Sequence, residues 1–134
     1  MTVVAAIHPN SASIVIDPSN NVGEPNKAHG KPGGPIIFVV YNLNSSKKVV
    51  RIPPNQFVPD PPEGEGRGPE DPLVHVGQHW AFVDPGDAAV IQLKARKASH
   101  FPSGNFTYKY TIYWADDIFG TNERHLDPQI EINN

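Results

Sequence analysis

The sequence predicts an all-β protein, an antiparallel or mixed β-sandwich of seven to nine strands that forms one domain over residues 1–134. Proline and glycine are frequent, at 15 and 11 of 134 residues, and proline breaks the interior of a helix. Short runs of β-branched and aromatic residues alternate with polar residues between turn sequences, which is the spacing of a sandwich. No shift of composition marks a second domain.

Residues 105–114 form the clearest predicted strand. Apolar and polar residues alternate along the whole run, which is the period of a strand with one buried face. The even positions are therefore expected in the core: Phe106, Tyr108, Tyr110, Ile112 and Trp114. Residues 129–133 alternate in the same way and predict the last strand.

A first hairpin is predicted around residues 36–52. Residues 36–41 are a continuous apolar run, typical of a central strand covered on both faces. A polar connection follows, and residues 47–52 return as a strand with Val50 and Ile52 facing inward. The spacing of the two runs indicates that they pair with each other.

A second hairpin is predicted over residues 73–83. Gly77-Gln78 lies at its centre, and glycine suits the first central position of a type II′ turn. One face would carry Leu73, His75, Trp80 and Phe82, and the other Val74, Val76, His79 and Ala81.

Shorter patterns complete the predicted strands. Residues 3–7 and 13–17 favour two short strands near the start of the chain. Residues 88–98, after an Asp-Pro-Gly-Asp turn, suit either a strand or an amphipathic helix, and the strand is preferred because its neighbours are strands. Residues 115–122 have room for one helical turn.

Two proline-rich segments, residues 18–35 and 53–72, predict long loops. The second contains seven prolines and five acidic residues, with Arg67 as its single basic residue. Either it is a loosely packed excursion or it is a recognition loop displayed by the scaffold. We expect it to project from the sandwich; if it packs instead, Phe57 and Val58 are the anchoring residues.

Charge and hydropathy argue against several partners. The net charge is −3 and the isoelectric point is near 6.0, so the sequence predicts no binding to nucleic acid. No apolar run is long enough to span a bilayer, so no membrane insertion is predicted. The first residues lack the pattern of a signal peptide. The compartment stays open, with the cytoplasm expected unless a signal segment has been removed.

The absence of cysteine excludes disulfides, thiolate nucleophiles and zinc–thiolate sites. No Gly-x-Ser-x-Gly elbow occurs, and residues 30–34 lack the ending of a phosphate loop. Asp116-Asp117 is more typical of a turn cap than of paired catalytic acids. The sequence therefore predicts no enzyme and no cofactor.

Several segments resemble a cupredoxin-like domain. They are the Asp-Pro-Gly-Asp turn at 84–87 with its following strand, the run Phe-Pro-Ser-Gly-Asn-Phe-Thr-Tyr at 101–108, the strand ending at Asn42, and the final Asp-Pro with its strand at 126–132. The resemblance implies a cupredoxin-like sandwich, with an immunoglobulin-like Greek key as the alternative. Blue-copper members hold their metal with two His, one Cys and usually a Met, and this chain has no Cys and only Met1. The resemblance thus implies the scaffold without a blue-copper centre.

Histidine leaves one metal alternative. The chain has six histidines, and His75 and His79 are the one close pair. In the predicted hairpin these two side chains point to opposite faces, so no metal ligands are assigned. A metal-binding protein that uses His without blue copper remains an alternative.

The preferred function is a non-enzymatic binding or structural module that engages a protein partner, or a second copy, through loops or an edge strand. The candidate binding residues are Tyr41, Phe57, Arg67 and Tyr113. Tyr41 and Tyr113 are expected to face outward, and aromatic rings on a sandwich face also suit the stacking of sugars. A module that binds carbohydrate or another small ligand is therefore the alternative.

Overall fold

The structure of the protein is a computed structural model, and it describes residues 11–16, 22–23, 28–60, 69, 71–74 and 77–133. This part of the chain is nearly all β, with two short 3-10 segments, Pro54–Gln56 and Ala98–His100, and no α-helix. In chain order the strands are β1 (Ser11–Ile16), β2 (Val22–Gly23), β3 (Ala28–Gly30), β4 (Pro35–Asn42), β5 (Lys48–Arg51), β6 (Val58–Pro59), β7 (Leu73–Val74), β8 (Trp80–Val83), β9 (Ala88–Ala95), β10 (Asn105–Lys109), β11 (Ile112–Ala115), β12 (Arg124–Leu126) and β13 (Gln129–Asn133).

The strands form three sheets. The first has the order β2-β1-β4-β9-β7, the second β3-β13-β10-β6, and the third β12-β11-β5-β8. Pairing is antiparallel except between β1 and β4 and between β13 and β3. The fold is therefore the mixed, all-β architecture that the sequence predicts. The described residues contain thirteen strands rather than seven to nine, because five of them are only two or three residues long.

The buried faces of the three sheets share one core. Phe38 of the first sheet contacts Tyr110 at a ring-centroid distance of 5.2 Å, and Phe57 stacks on the same ring at 5.0 Å. Burial raises the pKa of the Tyr110 hydroxyl.

Gly30 of β3 allows its strand to lie close to two core side chains, since a Cβ on it would lie 3.0 Å from Ile132 and 3.1 Å from Ile36.

The alternation predicted for residues 105–114 is confirmed, but the run is not one strand. All five even positions are buried. The chain nevertheless changes sheet after Lys109: β10 pairs with β13 and β6, whereas β11 pairs with β12 and β5. The period survives this change because the second and third sheets enclose the same core.

The hairpin predicted around residues 36–52 is wrong. β4 lies centrally in the first sheet between β1 and β9, while β5 belongs to the third sheet. The predicted inward pair, Val50 and Ile52, is fully buried. β4 itself has one buried face and one half-buried face, rather than two covered faces.

Asn42 accounts for this change of sheet. It is fully buried, and its side-chain amide donates to the carbonyls of Ser46 at 2.9 Å and Val83 at 2.8 Å. Its side-chain oxygen accepts from the amide of Asn44 at 2.9 Å. Buried polar groups need such partners, so the Asn42 side chain satisfies the backbone where the chain leaves β4 for the third sheet.

The hairpin predicted over residues 73–83 is also wrong. Leu73 and Val74 pair with β9 in the first sheet, whereas β8 pairs with β5 in the third. A contact outside the predicted hairpin holds β7 in place, since the Arg96 Nε donates to the carbonyl of Asp71 at 2.7 Å. His75 and Val76 lie outside the described residues.

The remaining predicted elements have mixed outcomes. The strand at 129–133 is confirmed as β13, and the strand at 88–98 is confirmed as β9 up to Ala95, with Ala98 already in a 3-10 segment. The predicted strand at 13–17 corresponds to β1, and residues 3–7 lie outside the described part. Residues 116–122 form turns without helix.

The two proline-rich segments contain regular structure. β2, β3 and the start of β4 fall within residues 18–35. In the segment 53–72, β6 pairs with β10, Phe57 is buried, and the Tyr108 hydroxyl donates to the Pro69 carbonyl at 2.7 Å. The expectation that this segment projects as a whole is therefore wrong for residues 53–59, which pack against the core. Phe57 is its anchor, whereas Val58 is exposed.

Candidate interaction surface

The outer face of the third sheet carries a cross-strand row of large side chains. Register places Trp80 opposite Arg51, Arg51 opposite Tyr113, and Tyr113 opposite His125. Residues opposite each other in neighbouring strands point to the same face. This face is turned away from the core, because the alternate residues Val50, Ile112 and Trp114 are buried. We call it the outer face.

Tyr113 is held firmly within this row. The Arg51 guanidinium lies 3.9 Å from the centroid of the Tyr113 ring, a cation–π contact. The same guanidinium lies 3.4 Å from the Glu123 carboxylate. The Tyr113 hydroxyl donates to the side-chain oxygen of Gln56 at 2.7 Å. One face of the Tyr113 ring is therefore occupied by Arg51 and cannot stack on a flat ligand.

At the β8 end of the sheet, the aromatic rings are open to solvent. Trp80 is 39% exposed and Phe82 is 49% exposed. The two rings meet edge to face with centroids 5.4 Å apart. The Lys47 ammonium lies 5.8 Å from the Phe82 ring and 3.6 Å from the Asp84 carboxylate. Apolar aromatic surface is thus concentrated along β8, and the Lys47–Asp84 ion pair borders it.

β8 is also an edge strand. Among the described residues it pairs with β5 alone. The Ile52 amide donates to the His79 carbonyl at 2.8 Å, so the alternation of an antiparallel ladder directs Ala81 and Val83 toward β5. The backbone groups of Trp80 and Phe82 then point to the free side. The Gln78 side chain donates to the Trp80 carbonyl at 2.8 Å.

A second apolar element borders the outer face. Ile118 is 68% exposed and Phe119 is 88% exposed at the tip of the turn after β11. A small cavity of about 40 Å³ separates this turn from the sheet. It is lined by Val49, Arg51, Tyr113, Ala115, Asp117, Ile118, Gly120 and Glu123. The turn therefore lies against the outer face at β5 and β11.

Two aspartates fix the turn. Asp117 accepts from the Thr121 hydroxyl at 2.7 Å and from the amides of Phe119 at 2.9 Å and Thr121 at 3.2 Å. Asp116 pairs with Lys48 and accepts from the Asn122 side chain. The bond from Thr121 lowers the pKa of Asp117, and the bond from Lys48 lowers that of Asp116. Both groups are therefore held as carboxylates that cap the turn.

Acidification is expected to loosen this turn. The pKa of Asp117 is lower in the folded protein than in the unfolded chain. The ionised carboxylate therefore stabilises the fold fully above the unfolded pKa. This stabilisation is lost as the pH falls below about 4 and through the folded pKa. The ¹H–¹⁵N heteronuclear NOE of Phe119 and Thr121 should decrease in that range. An Asp117→Ala variant should show the low value already at neutral pH. A wild-type turn that stays ordered to about pH 2 would contradict this role of the carboxylate.

The four binding residues predicted from sequence do not form one site. Tyr41 is half-buried in β4 of the first sheet, and Tyr113 is half-buried on the outer face. Phe57 lies in the core at 3% exposure. Arg67 lies outside the described residues.

Sequence reasoning missed the four exposed apolar side chains around the outer face, Trp80, Phe82, Ile118 and Phe119. The signal for the turn was present in Asp117-Ile118-Phe119-Gly120, because aspartate and glycine favour turns and connecting segments lie on the surface. No comparable signal marked Trp80 and Phe82, since their exposure follows from the sheet to which β8 belongs.

The described part of the chain holds neither a cluster of metal-ligating side chains nor a membrane-spanning helix. No three His, Cys, Asp or Glu side chains there come together as a metal site. No helix within those residues has the length and apolarity needed to cross a bilayer.

No protein-family model matches the sequence, and no curated protein matches it significantly. Solved structures do resemble the fold. An ASH/PapD-like domain of human CEP192 (PapD-like domain 7) aligns with all of this chain and 92% of its own, at 7% identity and a TM-score of 0.48. McoA multicopper oxidase from the hyperthermophile Aquifex aeolicus aligns with 99% of this chain at 13% identity and a TM-score of 0.46. The laccase-like multicopper oxidase CueO from Ochrobactrum sp. aligns with 93% at 11% identity and a TM-score of 0.40.

These solved structures are thus one PapD-like domain and two multicopper oxidases. The chain spans 32% and 27% of the two oxidase chains, about a third or less of each. At these identities and TM-scores the likeness concerns the fold alone.

Proposed function

We propose that the protein is a non-enzymatic binding module that engages an extended segment of a protein partner along β8. The observation that carries this proposal is the pair of solvent-exposed aromatic rings, Trp80 and Phe82, on an edge strand. A partner strand can add to a free sheet edge through main-chain hydrogen bonds, while its alternate side chains pack on the face beside it. β8 offers both kinds of contact.

The lengths of the edge strands favour β8 over the others. The other five edge strands of the three sheets, β2, β7, β3, β6 and β12, are two or three residues long in the described chain. β6 also ends in proline, and β12 carries Arg124 and His125. Short length, proline and charge are the usual means of blocking an edge. β8 has four residues, Trp-Ala-Phe-Val, and none of these protections.

The proposal includes no catalytic role. A general acid or base needs a pKa near the operating pH, whereas partners hold the pKa values of Asp116 and Asp117 below their usual range. Their carboxylates are engaged by Lys48, Asn122 and Thr121. Structural capping accounts for these contacts without a reaction.

A peptide-display selection tests this function. Random peptides should be selected on the immobilised wild-type protein, and the enriched sequences should alternate apolar residues, as strand addition requires. Phe82→Lys should weaken their binding by about tenfold or more, because it removes an exposed ring and places a charge at the edge. Val90→Lys is the matched control, since Val90 is 59% exposed on β9. Equal binding to the two variants would contradict the proposal.

Carbohydrate binding is the second candidate, and the exposed Trp80 ring is the observation that favours it. The chain has two tryptophans, and Trp114 is only 4% exposed. A sugar that stacks on Trp80 should therefore change the fluorescence of the wild type but not that of Trp80→Ala. An oligosaccharide panel with no wild-type response would exclude this candidate.

A further inference from the structure

We infer that the partner of β8 is a second copy of this chain, and that two β8 strands pair antiparallel about a two-fold axis at Ala81. This inference rests on the proposed function of the β8 edge and names its occupant. It follows from the direction of the backbone groups, the pattern of side chains and the charges around the strand.

The backbone fixes the register. Trp80 and Phe82 direct their amide and carbonyl groups to the free side, because Ala81 and Val83 face β5. In an antiparallel pair of identical strands, the backbone amide and carbonyl of Trp80 then form hydrogen bonds with those of Phe82 in the second copy. By symmetry, the backbone of Phe82 forms the same bonds with Trp80 of the second copy. This register places Ala81 opposite itself, so that Trp80, Ala81 and Phe82 of the two copies overlap and Val83 lies opposite His79, just before β8. The Trp80 carbonyl exchanges its bond from Gln78 for one from the second copy.

The side chains complement themselves in this register. Opposite residues share a face, so each Trp80 lies beside Phe82 of the second copy on the outer face. The edge-to-face pair seen within one chain, with centroids 5.4 Å apart, is extended to a continuous row of rings. Such a patch is isologous, which is the usual arrangement in homodimers.

The charges permit two copies to approach. The exposed ionic groups near β8 are paired within each chain, as Lys47 with Asp84 at 3.6 Å and Arg51 with Glu123 at 3.4 Å. β8 itself carries no charge. A two-fold axis at Ala81 therefore brings together two uncharged strands, and the neighbouring ion pairs, Lys47–Asp84 and Arg51–Glu123, are closed within each chain. A strongly acidic or basic partner has no comparable counterpart on this edge.

A single introduced cysteine tests the register directly. In a non-hydrogen-bonded antiparallel pair the two Cα atoms are about 4.5 Å apart, which lies within the range of a disulfide. The chain has no cysteine of its own. Under mild oxidation Ala81→Cys should form a covalent dimer at least about tenfold faster than Ala89→Cys, because only residue 81 lies on the axis and both alanines are partly buried against the core. Equal rates would overturn the proposed pairing.

Sedimentation velocity on the wild type over a range of concentrations measures the association itself. The mass should rise from that of one chain toward that of two, and Phe82→Lys should weaken this association by about tenfold or more while Val90→Lys leaves it unchanged. A wild type that remains monomeric at the highest concentration overturns the second copy as occupant. The peptide-display selection tests the edge-binding function separately, because peptide binding to β8 does not require that two copies of the chain associate.

Discussion

Replacing Phe57 with alanine is expected to lower the free energy of unfolding by about 3–5 kcal/mol. Phe57 is only 3% exposed, and its ring stacks on Tyr110 at 5.0 Å with an interplanar angle of 8°. Tyr110 in turn contacts Phe38 of the first sheet. Removal of the ring therefore leaves a cavity at the point where the proline-rich segment joins the core.

The neighbouring Val58 provides the control. It is 51% exposed, so Val58→Ala should change the stability by about 0.5 kcal/mol or less. Urea titrations of both variants, compared with the wild type, measure the difference. A loss for Phe57→Ala as small as that for Val58→Ala would show that residues 53–59 can detach without disturbing the core.

Ile112→Ala is expected to cost about 2–5 kcal/mol of unfolding free energy. Ile112 is fully buried at the start of β11, where the chain has just passed from the second sheet to the third. Its removal therefore affects packing against both sheets. Denaturant titration measures the change.

Thr111→Ala is the matched variant at the adjacent position. The Thr111 hydroxyl donates to Asp127 at 2.7 Å on the surface, so its loss should cost under about 1 kcal/mol. Equal costs at positions 111 and 112 would mean that the buried face is assigned to the wrong residues.

The sequence by itself determined the class of structure and the buried positions of its clearest strands. Phe106, Tyr108, Ile112 and Trp114 are buried as their alternation predicts, because the period of two is a local property of an extended chain. The Asp-Pro-Gly-Asp turn and the following strand β9 were predictable for the same reason: proline and glycine fix the backbone locally.

The candidate surface depended on information that local patterns do not contain. Trp80 and Phe82 were placed on one face correctly, yet nothing in their spacing says whether that face is the core or the solvent. Their exposure follows from the pairing of β8 with β5 in the third sheet rather than with β7. Strand pairing is a contact between distant residues, so the free edge appears only when every sheet is assembled.

The tertiary structure also decided where the chain changes sheet. Spacing alone suggested a hairpin over residues 36–52, but the buried Asn42 side chain bonds to the Val83 carbonyl, 41 residues away. Phe57 likewise became part of the core through its contact with Tyr110. The amino-acid sequence thus set the local period and the turns, whereas the partners of buried polar groups and of isolated aromatic rings were set by packing between segments far apart in the chain.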